Sequence, residues 1–159
     1  MSDTVEQSEH KLSVSVVTDA PIPALFDFLT VPANHVLIDG SGALLAAEGA
    51  PVRAVGDTFT MQMSDRDGQH YTVENHVVEY MQDLQLAWRP TKPATPPVGV
   101  RWDWQFDVGP KGETVVTQTC DWSQVTDAGY LEHNRLPRVT SDEMRQTIRR
   151  LIDQVSSYS

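Results

Sequence analysis

The chain has 159 residues, of which 40% are hydrophobic and 21% are charged, a composition typical of a globular protein with a sizeable core. Its 22 acidic and 12 basic residues give a net charge of -10, which argues against nucleic acid and anionic membrane surfaces as partners. No run of about 20 apolar residues is present, so we predict no insertion into a membrane. The one cysteine, Cys120, cannot form an intrachain disulfide, and a reducing cytoplasm is the expected location.

The first part of the chain changes from polar to alternating character. Residues 1–11 are polar and acidic, and we predict that they form a frayed or disordered tail before a single domain over residues 12–156. Apolar side chains alternate with polar ones from Leu12 to Val16, which predicts a strand with one solvated face. The prolines at 21 and 23 suit the first turn of a helix, and that helix is predicted to end at Val31.

Residues 42–123 are predicted to form about six strands joined mostly by short turns. Two segments alternate most clearly, and one face of each carries only bulky apolar side chains, namely Phe59, Met61 and Met63 in the first segment and Trp102, Trp104 and Phe106 in the second. Hairpin connections make neighbouring strands antiparallel. Residues 125–139 are read as a connecting loop.

The last segment changes to helical periodicity. Thr140 and Glu143 have the spacing of a capping box, which predicts a helix start. An apolar stripe follows, formed by Met144, Ile148, Leu151 and Val155. Because one apolar face of an antiparallel sheet has to be covered, this helix is predicted to lie on the sheet in an α+β arrangement with about seven strands.

Several segments together resemble the SRPBCC superfamily, the START-like group, and within it the polyketide cyclase/dehydrase-like branch. The similarity runs over about residues 12–155, and the segments that carry it are PALFDFL at 23–29, IDGSG at 38–42, VGDTF at 55–59, NHVVEY at 75–80, LAWRP at 86–90, WDW at 102–104 and TCDWS at 119–123. The resemblance implies a helix-grip fold, in which a curved antiparallel sheet wraps the C-terminal helix. It also implies a cavity for an apolar ligand between the two.

If the strand parities are right, the aromatic and methionine side chains of the two alternating segments line this cavity together with the helix stripe. Bulky, adaptable side chains of this kind suit a ring-containing apolar ligand. The predicted ligand-binding residues are Phe59, Met61, Met63, Trp102, Trp104, Phe106, Gln118, Trp122, Met144, Ile148 and Leu151. Gln118 and Trp122 belong to this set only if the even positions of the last strand face inward. In the opposite parity, Gln118 is a solvated surface residue.

Candidates for chemistry are few. Glu74 and His76 lie two apart on a strand, and a proton could pass between them if the even positions of that strand face the cavity. The alternative is a solvated charged strand. His35 and Asp39 are too few for a metal site, so no metal and no cofactor is predicted.

The leading hypothesis is a carrier or sensor that binds a hydrophobic small molecule, such as a lipid, an aromatic compound or a polyketide-like compound, as a monomer or homodimer. The second is a cyclase or dehydratase in which Glu74, His76 or a tyrosine moves protons. The third is a protein interaction module like the chaperone-activating members of the superfamily. The fold alone does not choose among them.

Overall fold

A computed structural model describes residues 3–157. Eight antiparallel strands form one sheet in the order β1-β2-β8-β7-β6-β5-β4-β3, and four helices complete the α+β arrangement. The strands are β1 Asp3–Ser8, β2 Lys11–Thr18, β3 Leu44–Glu48, β4 Thr58–Ser64, β5 His70–Met81, β6 Gln85–Thr91, β7 Arg101–Val108 and β8 Thr114–Asp121. The helices are α1 Ile22–Thr30, α2 His35–Ile38, α3 Ala128–His133 and α4 Ser141–Ser156. The predicted helix-grip fold, a curved antiparallel sheet with a long C-terminal helix, is confirmed.

The start of the chain differs from the prediction of a frayed tail over residues 1–11. Residues 3–8 form β1, which pairs along its whole length with β2. The carboxylate of Asp3 also forms ion pairs with Arg145 and Arg149 of α4. A polar segment can therefore be ordered when backbone pairing and ion pairs hold it, and neither of these produces an apolar pattern in the sequence.

The connection over residues 125–139, read as a loop, contains the short helix α3. The carboxylate of Asp127 accepts a hydrogen bond from the backbone NH of Tyr130, which caps the first turn. Tyr130, Leu136 and Val139 then pack against the hydrophobic core. This connection is thus part of the packed domain.

Helix α4 begins where the capping box predicts. The hydroxyl of Thr140 accepts from the backbone NH of Glu143, and the carboxylate of Glu143 accepts from the backbone NH of Thr140. Gly40, in the loop after α2, lies against α4 so closely that a Cβ there would be 2.4 Å from the Glu143 carbonyl oxygen. Only glycine fits at this contact, which ties the α2–β3 loop to the helix.

The two faces of the sheet differ in character, and the registers show which side chains share each face. Phe59 lies opposite Asn75, and Trp104 lies opposite both Leu86 and Gln118, so these residues point to the inner face beneath the helices. In β5 the inner positions are therefore odd up to Val77. A register shift between Val77 and Glu79 then brings Tyr80 inward.

Candidate functional site

The residues predicted to bind a ligand all lie on the inner side of the sheet or on the α4 stripe. Most are buried in the hydrophobic core, while Met63 and Trp102 are half-buried and pack against it. The structure shows that the even-numbered side chains of β8 face inward, because Gln118 lies between Val14 and Trp104 on the inner face. Whether these residues bind a ligand stays a prediction.

The helical cover over the sheet has two parts. Helix α4 packs on β2, α1 and α2, with a smaller contact to β8. Part of the β7 surface lies under α1, because the Phe26 ring meets the Phe106 ring edge-on with centroids 6.2 Å apart. Phe26 also meets Tyr80 of β5 at 5.5 Å. The interior is therefore enclosed by α1 and α4 together, whereas the sequence pattern pointed to α4 alone.

A buried aromatic cluster beneath α2 is a feature that sequence reasoning missed. His35 stacks on Phe59 at 5.9 Å and meets Trp88 edge-on at 5.4 Å, and Phe59 meets Trp88 at 5.3 Å. The Nε2 of His35 lies 2.8 Å from the Leu29 carbonyl oxygen. Burial lowers the pKa of His35 although Leu29 and Asp39 act in the opposite direction, so the imidazole is neutral at pH 7.

Two buried amides on the inner face have an atom without a hydrogen-bond partner. Asn75 is 1% exposed, and its Nδ2 forms no hydrogen bond within the described part of the chain. Gln118 is 8% exposed, and its Oε1 is likewise unpartnered among residues 3–157. A buried polar atom without a partner costs about 1–3 kcal/mol. Asn75 was missed because its strand has no clean apolar face, although its position opposite Phe59 would have indicated burial.

Glu74 and His76 are in contact, with 2.8 Å between Oε1 and Nε2. They lie opposite Thr60 and Thr58 on the outer face, so the condition for a pair that faces a cavity is not met, and the structure agrees with the alternative of a solvated strand. Two features of β5 explain why the sequence left its face open: inner Asn75 is polar, and the register shift changes the parity within the strand. This acid–base pair is separated from the interior by the sheet itself.

Other candidate groups have structural roles. The Asp39 carboxylate accepts hydrogen bonds from Ser41 and from the backbone NH of Leu44, which fixes the turn before β3. Burial, together with the neighbouring Asp121 carboxylate, raises the pKa of Cys120 to about 12, so its thiol is not a nucleophile at pH 7. Over residues 3–157 no three His, Cys, Asp or Glu side chains are grouped as metal ligands would be.

Pockets also open elsewhere on the surface of the described residues. A groove of about 810 Å³ runs between the outer side of α1 and the end of α4, lined by Val17, Ala24, Phe28 and Val155 among others. A polar pocket of about 440 Å³ lies on the outer face of the sheet, next to Arg89 and Arg101. None of the eleven predicted ligand-binding residues lines either pocket.

No helix in the described range is long and apolar enough to cross a membrane.

No protein-family model matches the chain. The chain is 29% identical over 119 residues to the uncharacterized protein Rv0088 of Mycobacterium tuberculosis. That match covers 74% of this chain and 50% of the relative, so the chain spans about half the length of the curated relatives it matches.

Solved structures are similar over nearly the whole chain. Protein Ms6760 of Mycobacterium smegmatis has a TM-score of 0.65 at 15% identity, with 98% of this chain and 100% of that chain covered. Ginseng major latex-like protein 151 from Panax ginseng has a TM-score of 0.60 at 12% identity, covering 91% and 95%. An AHSA1-like protein from Aeromonas hydrophila has a TM-score of 0.54 at 16% identity, covering 93% and 90%. At these identities the similarity concerns the fold alone.

Proposed function

We propose that the protein binds a mostly apolar small molecule carrying at least one hydrogen-bonding group, held between the inner face of the sheet and the helices. The observation that carries this proposal is the pair of buried amides, Asn75 and Gln118, each with an atom that has no hydrogen-bond partner among residues 3–157. Both lie on the inner face, where nearly all of their neighbours are apolar.

The physical reason is the cost of burying an amide. A ligand carbonyl or hydroxyl oxygen could accept from Asn75 Nδ2, and a ligand hydroxyl could donate to Gln118 Oε1. Either contact would recover a hydrogen bond that burial takes away. The surroundings suit such a guest, because Met61, Met63 and Met144 are unbranched and can change rotamer around a ligand. Aromatic rings from β4, β6 and β7 supply flat apolar surface.

The proposal is binding and not catalysis, because the acid–base pair of Glu74 and His76 lies on the outer face. The Nε2 of His35 is engaged with Leu29, and its ring is packed between Phe59 and Trp88. Carriage or sensing of a lipid, aromatic or polyketide-like compound is the form of this function that fits a neutral, apolar interior.

The first test is native mass spectrometry of the freshly purified protein. We expect a small molecule bound at one per chain, with occupancy reduced in Asn75→Leu and in Gln118→Leu. Leucine has the same number of side-chain heavy atoms and the same branch point as asparagine and one heavy atom fewer than glutamine, and it removes the amide in both cases. Gln69→Leu is the matched control, since Gln69 is exposed in the turn between β4 and β5 and lines neither pocket. A compound retained equally by all three variants would contradict the proposed site.

The second test uses two probes that differ by one hydroxyl, 2-naphthol and naphthalene, in equilibrium dialysis. The wild-type protein is expected to prefer 2-naphthol by about ten-fold, the value of one net hydrogen bond of about 1.4 kcal/mol. Asn75→Leu and Gln118→Leu together should abolish this preference while leaving naphthalene binding unchanged. Equal binding of both probes by the wild type would contradict a role for the amides.

A further inference from the structure

The outer face of the sheet carries a row of basic and acidic side chains across four neighbouring strands. In register order these are His76 on β5, Arg89 on β6, Arg101 on β7 and Asp121 on β8, where Asp121 pairs in turn with Lys11 of β2. Arg89 and Arg101 each lie one residue beyond the last β6–β7 pair, Trp88 with Trp102. Like charges so placed on adjacent strands destabilise a sheet unless something offsets them.

Arg89 has no such offset within the described residues. No carboxylate of residues 3–157 forms an ion pair with it, and its guanidinium makes one long hydrogen bond of 3.3 Å to the Gly99 carbonyl oxygen. Arg101, by contrast, is paired with Asp103 at 2.9 Å and with Glu79 at 3.5 Å. Arg89 is half-buried, so its charge is only partly hydrated.

The two arginines line the polar pocket of about 440 Å³, together with Lys11 and a set of hydroxyl and amide side chains. One wall is the loop at Gly99, where a Cβ would lie 2.5 Å from the Gln124 carbonyl oxygen. Gly99 also has a φ of +114, which side chains rarely permit. Glycine at this position therefore allows the loop before β7 to approach the loop after β8 closely at the rim of the pocket. There the Gly99 carbonyl oxygen accepts the hydrogen bond from Arg89.

Two carboxylates also line the pocket, and both are already engaged. Asp103 accepts from the amide of Gln85 at 2.8 Å and from Arg101. Asp121 accepts from the backbone NH of Ser123 at 2.8 Å. Partial burial would raise the pKa of Asp121, but Ser123, Lys11 and Arg101 lower it, so the carboxylate stays ionised. Lys11, Arg89 and Arg101 line the pocket with Asp103 and Asp121, and Glu79 beside Arg101 balances the third positive charge. The capacity to bind an anion therefore depends on Arg89, which forms no ion pair within residues 3–157.

We propose that this pocket is a binding site for a small oxyanion, a phosphate or carboxylate group, with the unpaired Arg89 as its main ligand and Lys11 and Arg101 beside it. A planar guanidinium donates two parallel hydrogen bonds to either group. The hydroxyls of Thr119 and Ser123 and the amide of Gln124 are further donors at the pocket wall. The site lies on the opposite face of the sheet from the interior and is independent of what the interior binds.

The test is a chemical-shift titration of nitrogen-15-labelled protein with inorganic phosphate, repeated with acetate, at constant ionic strength in sodium chloride. We expect saturable shifts confined to the amides of Gly99, Ser123, Gln124 and their neighbours. Saturation by phosphate alone assigns a phosphate site, and saturation by acetate alone assigns a carboxylate site. Saturation by neither anion, or equal drift with chloride, would overturn the proposal.

Three variants complete the test. Arg89→Gln is expected to weaken binding by about ten-fold or more, the effect of one charge-assisted hydrogen bond. Asp121→Asn removes a repelling charge and should tighten binding several-fold. Arg66→Gln, in the exposed β4–β5 turn, is the matched control and should bind like the wild type. Binding that survives Arg89→Gln unchanged, in a variant with wild-type backbone shifts elsewhere, would overturn the assignment.

Discussion

The inner and outer faces of the sheet are made by the same strands, yet their polar groups are in opposite situations. On the outer face the Ser13 and Thr119 hydroxyls are 2.8 Å apart, the Ser15 and Thr117 hydroxyls repeat this on the next rung, and Gln85 donates to Asp103. On the inner face Asn75 and Gln118 each have an amide atom without a partner in the part of the chain that the structure describes. Buried polar side chains elsewhere do have partners, since the Thr114 hydroxyl donates to the Ala20 carbonyl oxygen and His35 Nε2 lies 2.8 Å from the Leu29 carbonyl oxygen. This contrast marks the two amides as exceptions that need a function.

The largest effect should come from removing an aromatic ring from the inner face. Phe106→Ala is expected to destabilise the fold by about 3–5 kcal/mol, because Phe106 is fully buried under Phe26. Val108→Ala is the control on the same strand with the same parity, since Val108 is 71% exposed, and it should change stability by less than about 0.5 kcal/mol. Urea unfolding of both variants checks this. A small loss for Phe106→Ala would mean that the core under α1 is loosely packed.

Asn75→Leu is expected to change the free energy of unfolding in the opposite direction, by raising it. Replacing a buried amide that has an unpaired atom by an apolar side chain with the same number of heavy atoms removes a penalty of about 1–3 kcal/mol, so the ligand-free protein is expected to become more stable. The measurement is the free energy of unfolding after any bound compound has been extracted. Destabilisation by more than about 1 kcal/mol would show that Asn75 is hydrogen-bonded in the free protein, and the argument for a polar ligand group at this position would fail.

These two predictions also show what the sequence could and could not indicate. Strict alternation from Val100 to Val108 identified the inner side of β7, and the Thr140–Glu143 spacing identified the start of α4, because each signal is local. The face of β5 could not be assigned in this way, because Asn75 breaks the pattern and a register shift changes the parity within the strand.

Long-range contacts account for the remaining differences. β1 depends on its pairing with β2 and on the ion pairs that Asp3 forms with α4. The aromatic cluster of His35, Phe59 and Trp88 joins three elements that are distant in sequence. The unpaired state of Arg89 also depends on which carboxylates the fold brings near it. None of these leaves a periodic trace in the sequence.

His35 should make stability depend on pH. Its pKa is below the ordinary value of 6.5 because it is buried, so the unfolded chain binds a proton more readily than the folded protein. The contribution of the neutral imidazole is fully present above pH 6.5 and is lost as the pH falls toward the lower pKa of the folded state, with a slope of at most about 1.4 kcal/mol per pH unit. In His35→Gln this part of the slope between pH 7 and 5 should disappear. An unchanged slope would mean that His35 is as easily protonated in the folded protein as in the unfolded chain.

The smallest effect should come from the outer-face pair of Glu74 and His76. Their side chains are 33% and 34% exposed, so solvent screens the contact and a double-mutant cycle of Glu74→Gln and His76→Ala should give a coupling energy below about 1 kcal/mol. Because the sheet separates the pair from the interior, neither change should alter the preference for 2-naphthol over naphthalene. A change in that preference, or loss of a catalysed reaction in either variant, would show that this face communicates with the interior and would reopen the enzymatic hypothesis.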